Sequence, residues 1–233
     1  MSPRHWVIIP AAGIGTRMRA DRPKQYLQLA GKSVLEHTLA IFLDHPRIDG
    51  LVLALAAGDP WWPALGIRHA KLQLAEGGAE RCDTVLHALD AIAGQAAAED
   101  WVLVHDAARP CLRRSDLDLL LDTLKGHPCG GLLGIPIADT IKRSNAQNEV
   151  EATVPRDGLW RALTPQMFRY AALRKALQQA RDRGLHVTDD ASAMELAGQQ
   201  PLMVEGHGDN IKITRPEDRL LAELYLTDHQ GLA

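Results

Sequence analysis

Two glycines with two cations close behind them are the first residues in this chain whose types and spacing suggest chemistry. Residues 10–18 read Pro10-Ala11-Ala12-Gly13-Ile14-Gly15-Thr16-Arg17-Met18, and Arg22-Pro23-Lys24-Gln25-Tyr26 follows. Small residues and glycine let the backbone come close to a ligand, so that amide N–H groups can face phosphate oxygens. Arg17 offers a planar fork of donors and Lys24 a compact point charge, and both follow the turn closely enough to converge on one triphosphate. Met18 stands where a dinucleotide-binding G-x-G-x-x-G loop needs its third glycine, and no Gly-Lys pair completes the other common phosphate loop. On Gly13 and Gly15 alone, an ordinary strand-to-helix turn with solvated cations is the better reading. Arg17, Pro23 and Lys24 together shift it to phosphate binding.

Further polar groups stand at points where elements begin or end. Asp106 follows the apolar run 101–105 (WVLVH), which puts it at the carboxyl edge of a buried strand, where open α/β sheets take ligands. A carboxylate there suits Mg2+, which borrows most of its oxygen ligands from phosphates and water, or it simply pairs with Arg109. Arg81, Asp83 and Thr84 follow Gly77-Gly78 at a helix start and on residue type alone read as first-turn capping residues. Arg156 by itself reads as a solvated charge, and Lys212, just before a capped helix, is equally ambiguous. Cys82, Cys111 and Cys129 are odd in number and lack C-x-x-C spacing, so packed thiols are expected rather than disulfides or a zinc site.

The elements that must position these groups alternate between strand and helix. Buried strands are expected at residues 6–10, 50–55 (GLVLAL), 101–105 and 130–137, with weaker ones at 71–75 and 202–205. Between them, Ser33-Val34-Leu35-Glu36 forms a capping box for a helix with Leu35, Leu39 and Phe42 on one face. Val85, Leu86, Leu89 and Ile92 mark a second helix, and Ser115 caps a third carrying Leu117, Leu120, Leu121 and Leu124. Residues 138–163 break the rhythm: they are polar, lack a helical stripe, and hold β-like pieces at 140–142 and 150–154. They read as an arm. A helix over about 169–183, a short helix capped by Thr188, and a last helix begun by the box Thr214-Arg215-Pro216-Glu217 complete the chain. Such alternation predicts an α/β fold with an open, mostly parallel sheet flanked by helices, built as one domain over residues 1–233.

With 233 residues, 46% of them hydrophobic, the chain can fill the core of one such domain. A net charge of −3 gives no basic field for nucleic acid or anionic lipid, so an anionic small ligand must be held by a few local cations. No apolar stretch approaches the roughly 18 residues of a membrane span, and the N-terminal residues run directly into a strand pattern without room for a signal peptide. A soluble cytoplasmic protein is expected.

Pro-Ala-Ala-Gly-x-Gly-x-Arg-Met with Pro-Lys-Gln-Tyr resembles the nucleotidyltransferases that activate sugar and polyol phosphates. The later blocks narrow this: Arg81-x-Asp83-Thr84-Val85, Val104 to Pro110, Asp139-Thr140-Ile141-Lys142, Leu163-Thr164-Pro165-Gln166, Thr188-Asp189 and Asp209-Asn210-Ile211-Lys212. In that order they resemble the 2-C-methyl-D-erythritol 4-phosphate cytidylyltransferases of the non-mevalonate isoprenoid pathway. The resemblance implies a Rossmann-like fold of the nucleotide-diphospho-sugar transferase type with a projecting β-arm. It implies transfer of CMP from CTP to the polyol phosphate, with Mg2+ and a homodimer joined through the arm.

Carried onto this sequence, the catalytic cations are Arg17, Lys24, Arg156 and Lys212, with Arg156 arriving from the partner subunit. Pro10, Ala11, Ala12, Gly13, Gly15, Gly78, Thr84, Asp106 and Ala107 fall to the nucleotide. Asp106, Arg109, Thr140, Arg156, Thr164, Thr188 and Lys212 fall to the acceptor, Asp106 and Asp209 to the metal, and His105 to an orienting role. Alternatives are a cytidylyltransferase for another polyol phosphate, such as ribitol 5-phosphate, and a nucleotide-binding subunit without catalysis.

Overall fold

A computed structural model describes residues 2–13 and 22–231, with side chains up to residue 228. Arg17 and Gly15 lie outside the described residues. β1 (His5–Pro10) has Val7, Ile8 and Ile9 fully buried, as a continuous apolar run requires when both faces of a sheet are covered. A 3-10 turn at Lys24–Tyr26 and the short pair β2 (Gln28–Leu29) and β3 (Lys32–Ser33) precede α1 (Val34–Leu43). The Ser33 capping box forms: its hydroxyl accepts from Glu36 N at 3.2 Å while the Glu36 carboxylate accepts from Ser33 N at 2.6 Å. β4 (Gly50–Leu55), a short α2 (Trp62–Leu65), β5 (Leu72–Glu76) and α3 (Arg81–Ala91) follow.

After α3 come β6 (Trp101–Val104), α4 (Arg114–Leu124) and β7 (Gly130–Pro136). β8 (Ile141–Ser144) and β9 (Val150–Val154) form a separate antiparallel hairpin, exposed except at Ile141 and Val154, which is the expected arm. β10 (Trp160–Arg169), α5 (Tyr170–Asp182), α6 (Asp190–Leu196), β11 (Leu202–Glu205) and α7 (Pro216–Gly231) complete the order.

The main sheet runs β11-β7-β10-β6-β1-β4-β5, with β10 antiparallel to both neighbours and the other pairs parallel. Alternate strand residues serve opposite faces. Val7, Ile9, Leu51, Leu53 and Leu103 pack with Leu35, Leu39 and Phe42 of α1 and with the leucines of α4. Ile8, Val52, Val102 and Val104 pack with Val85, Leu86 and Leu89 of α3 and with Leu173 and Leu177 of α5. This two-faced core holds the strand ends, and therefore the loops beyond them, in fixed register.

Four local expectations are corrected. β10 is the largest: the arm gives way to the sheet at Trp160, and residues 160–163 belong to a strand wedged between β6 and β7. Pro165 disguised it, since proline cannot donate to a ladder. The register shifts between Ala162 and Gln166, so Pro165 sits where the ladder is interrupted.

The helix starts differ from expectation at α4, α6 and α7. Arg113, without a side-chain cap bond, precedes α4, and Ser115 falls inside its first turn. Asp189 rather than Thr188 caps α6, its carboxylate accepting from Ser192 N at 2.9 Å. At α7 the carboxylate of Asp218, not Glu217, takes the amides of Thr214 and Arg215, each at 2.8 Å. An ionised carboxylate is a stronger acceptor than a hydroxyl, and it reaches back over one turn.

Candidate active site

Three loops meet at the carboxyl edge of the parallel strands. Beyond β1, Ala11 N donates to Ala54 O at 2.8 Å, and the buried Gln25 amide ties the loop by donating to Ala11 O at 2.7 Å and Gly13 O at 3.3 Å. Beyond β5, the Gly77-Gly78 turn lies so close to its surroundings that side chains cannot enter. A Cβ on Gly77 would stand 2.4 Å from Ala12 Cβ, and one on Gly78 would stand 2.3 Å from Asp83 Cβ. Thr84 holds this turn from within α3: its hydroxyl accepts from Gly78 N at 3.0 Å and donates to Glu80 O at 3.0 Å. Beyond β6, the Thr38 hydroxyl on α1 lies 3.0 Å from Ala107 O, and Ile213 N donates to Ala108 O at 2.9 Å. Lys24 Nζ in turn donates to Ile213 O at 3.0 Å, joining the N-terminal loop to the segment that carries Lys212.

Two cavities open between these loops. The first, about 220 Å3, is lined by Pro10, Ala11, Ala12, Gly13, Lys24, Gly78, Thr84, Asp106, Ala107 and Lys212 among others, so the described residues expected at the nucleotide gather there. The second, about 180 Å3, is lined by Asp106, Arg109, Thr164, Thr188 and Lys212, together with Arg81, Gln166 and Asp189. Arg81, Asp106 and Lys212 line both. Thr140 and Arg156 are exposed and line neither; the Arg156 guanidinium donates to Ala138 O at the base of the arm. Asp209 also lines neither, and its Oδ2 is bound by Arg113, whose Nε donates at 2.6 Å.

Asp106 organises the charge. Its Oδ2 lies 2.9 Å from Lys212 Nζ and 3.3 Å from Arg109 Nε, while Oδ1 lies 3.7 Å from Arg81 Nε. Burial alone would raise the carboxyl's pKa, but Arg81, Lys212 and Arg109 outweigh it and hold the group well below the ordinary carboxylate range. One anion thus gathers three cations and does not neutralise them. Arg81 is also paired with Asp190 at 2.7 Å, while Lys212 and Arg109 remain beside the cavities as cations that a polyanion can meet.

His105 lies behind Asp106 and is fully buried. Its Nε2 lies 3.0 Å from Arg109 O, a carbonyl that can only accept, so Nε2 carries the proton. Nδ1 then accepts from the Thr164 hydroxyl at 3.0 Å, and the same hydroxyl accepts from Asp106 N at 3.2 Å. Thr164, on the irregular stretch of β10, therefore orients the Asp106 loop as well as lining the second cavity. Desolvation lowers the His105 pKa from 6.5 to about 4, against the raising effect of its bond to Arg109 O and of Asp106. The unfolded chain then takes up a proton at higher pH than the folded one. Stability accordingly falls as pH drops from 6.5 to about 4, by about 3 kcal/mol from this group. Urea denaturation at a series of pH values is expected to show that share of the slope in the wild type and its loss in His105→Gln.

Residue type alone did not reveal Arg81, Gln25, Gln166 and Asn210 as parts of the site. Gln166 links the walls of the second cavity, its amide donating to Asp189 Oδ2 at 2.8 Å and its carbonyl accepting from Ala191 N at 2.7 Å. The Asn210 side-chain amide donates to Thr164 O at 2.8 Å, while its backbone carbonyl accepts from Arg109 Nη1 at 2.7 Å. Both side chains are buried within polar motifs, and a polar residue beside an apolar run was the available signal. Cys82, Cys111 and Cys129 are all free thiols, the last two buried, and none lines either cavity.

An open α/β sheet whose glycine-bearing loops and clustered cations converge on one strand edge has the build of a nucleotidyltransferase. The family model for 2-C-methyl-D-erythritol 4-phosphate cytidylyltransferase matches residues 5–228. A protein of that description from Hahella chejuensis is 55% identical over 222 residues, covering 95% of this chain and 92% of its own length. One from Pseudomonas fluorescens is 56% identical over 218 residues, covering 93% of each. Among solved structures, the Francisella tularensis enzyme of the same description aligns with a TM-score of 0.84 at 38% identity, covering 95% of this chain and 99% of that one. A 4-diphosphocytidyl-2C-methyl-D-erythritol synthase aligns with a TM-score of 0.85 at 35% identity, covering 97% of this chain and 100% of that one. The chain belongs to the 2-C-methyl-D-erythritol 4-phosphate cytidylyltransferase family.

Proposed function

We propose that this chain transfers CMP from CTP to 2-C-methyl-D-erythritol 4-phosphate, giving 4-diphosphocytidyl-2-C-methyl-D-erythritol and pyrophosphate for isoprenoid precursor synthesis. The observation that carries the reading is the pair of adjoining cavities with a common wall, one beside the glycine-bearing loops and one beside Arg109, Thr164 and Thr188. A nucleotide in the first and a polyol phosphate in the second would present their phosphates to each other across Asp106 and Lys212.

The attacking group is a phosphate oxygen, whose second pKa of about 6 leaves it ionised at neutral pH. No general base is needed, and His105, neutral and committed at both nitrogens, is not placed to be one. The task is to hold two anions in line and to stabilise charge growing on the departing pyrophosphate. Lys24, with Arg17 by resemblance, faces the triphosphate; Lys212 and Arg109 face the acceptor.

Mg2+ fits part of the expected ligand set. Asp106 lines both cavities and would hold the ion with oxygens of the triphosphate, whereas Asp209 is bound to Arg113 and lines neither. When bound, the ion neutralises phosphate charge. The exposed arm supports a homodimer in which Thr140 and Arg156 reach the partner's acceptor cavity, because in their own chain they line neither cavity. Among the described residues no helix is long and apolar enough to cross a membrane, and the reading places the reaction in the cytoplasm.

The test is pyrophosphate release from CTP, UTP, ATP or GTP, each with 2-C-methyl-D-erythritol 4-phosphate or ribitol 5-phosphate. Fast release is expected only with CTP and the methylerythritol phosphate. Equal release with ribitol 5-phosphate, or none with either acceptor, would overturn the reading.

A further inference from the structure

Among the described residues, Arg81, Asp106 and Lys212 line both cavities. Arg81 alone of the three has no role in the reading above. It opens α3 directly after the Gly77-Gly78 turn, so its backbone belongs to the wall of the first cavity. Its side chain crosses to the other wall, where Nη2 donates to Asp190 Oδ2 at 2.7 Å. Asp190 begins α6, just after Thr188 and Asp189 of the second cavity. A link between residues 109 positions apart thus runs along the boundary between the cavities.

The guanidinium is only partly spent by this link. Its Nε lies 3.7 Å from Asp106 Oδ1, beyond hydrogen-bond length, and its one hydrogen bond among the described residues is the one through Nη2. A guanidinium has five N–H donors in a fixed fork, so most of them remain for a ligand. The side chain is 30% exposed, which leaves the fork accessible from the cavities. Behind it Asp190 is fully buried, and its second oxygen, Oδ1, has no hydrogen-bond partner. A buried ion pair returns little net stability, because desolvation consumes most of the attraction. An unsatisfied carboxylate oxygen makes it a poorer stabiliser still. The arrangement is better explained by what it holds in place.

We propose that Arg81 is a catalytic residue that contacts the reacting phosphates where the cavities meet, and that Asp190 is the positioning residue that aims its fork. The assignment rests on the reading of the chain as a CMP transferase. Arginine suits the place because one amino group can stay on Asp190 while the rest of the planar fork grips phosphate oxygens. A lysine has a single nitrogen for both tasks.

The experiment is steady-state kinetics with CTP and 2-C-methyl-D-erythritol 4-phosphate on Arg81→Gln, Arg81→Lys, Asp190→Asn and the double variant Arg81→Gln/Asp190→Asn, with unfolding midpoints alongside. Arg81→Gln is expected to lower kcat by about 10²-fold, the scale of losing one preorganised donor to developing charge. Arg81→Lys is expected to restore about tenfold of that, through charge without the fork. Asp190→Asn is expected to lower kcat by about tenfold alone, yet to add nothing in the Arg81→Gln background, since it acts only through Arg81. The double variant strands no buried charge, so it remains readable should Arg81→Gln fail to fold. Folded variants with wild-type kcat, or losses that follow the unfolding midpoint and are not recovered by lysine, would overturn the assignment. Failure of the wild type to release pyrophosphate would instead sink the underlying reading, and this assignment with it.

Discussion

Replacing Lys212 by alanine is expected to lower kcat by about 10²- to 10³-fold and to raise the KM of the acceptor, with little effect on stability. Its ammonium stands 2.9 Å from Asp106 Oδ2 and lines both cavities, so its charge lies between the two anions that must meet. The magnitude is that of removing one preorganised electrostatic contact from a transition state. The fold should persist, because the Lys212 side chain is 37% exposed and the Asp106 carboxylate, only 11% exposed, is not left without a cation when it is removed. Asp106 would keep Arg109 and Arg81 as partners. Steady-state kinetics with a thermal melt checks both halves, and a folded Lys212→Ala enzyme with unchanged kcat would contradict the role.

Lys24→Ala should cost a similar 10²- to 10³-fold in kcat, but with the KM change falling on CTP rather than on the acceptor. Lys24 lines the first cavity and not the second, beside the loop 10–13. Its bond to Ile213 O also braces the segment carrying Lys212, so part of the loss would come from a less well placed neighbour. The contrast between the two lysines is the informative result. If both variants raised the same KM, the division into a nucleotide cavity and an acceptor cavity would be wrong.

Where burial leaves one physical solution, the sequence was sufficient. The apolar runs of β1, β4 and β6 could only be strands covered on both faces, and Ser33 with Glu36 could only begin a helix. β10 escaped because a central strand with Pro165 violates the pattern by which strands are found, and only pairing with β6 and β7 reveals it. The site followed the same division. Lys24 and Asp106 were legible because charges behind a glycine turn or at a strand end have few structural uses, whereas Gly78 and Thr84 came from resemblance. Thr140 and Arg156 came from resemblance alone, since nothing local separates a functional arginine in an exposed hairpin from a solvated one. Arg81 was read as a capping residue because its partner Asp190 is remote in sequence, and no spacing rule joins them. His105 owes its orientation to Thr164, 59 residues away, and its neutral state to burial, both of which are likewise properties of the fold.

The claim that two anions are joined across the wall shared by Asp106 and Lys212 is tested most directly by following the wild-type reaction by phosphorus NMR. With CTP and 2-C-methyl-D-erythritol 4-phosphate together, the predicted result is a new pair of coupled diphosphate resonances growing in step with pyrophosphate, and neither signal with one substrate missing. Pyrophosphate appearing from CTP without the acceptor, or an acceptor resonance left unchanged while CTP is consumed, would contradict it.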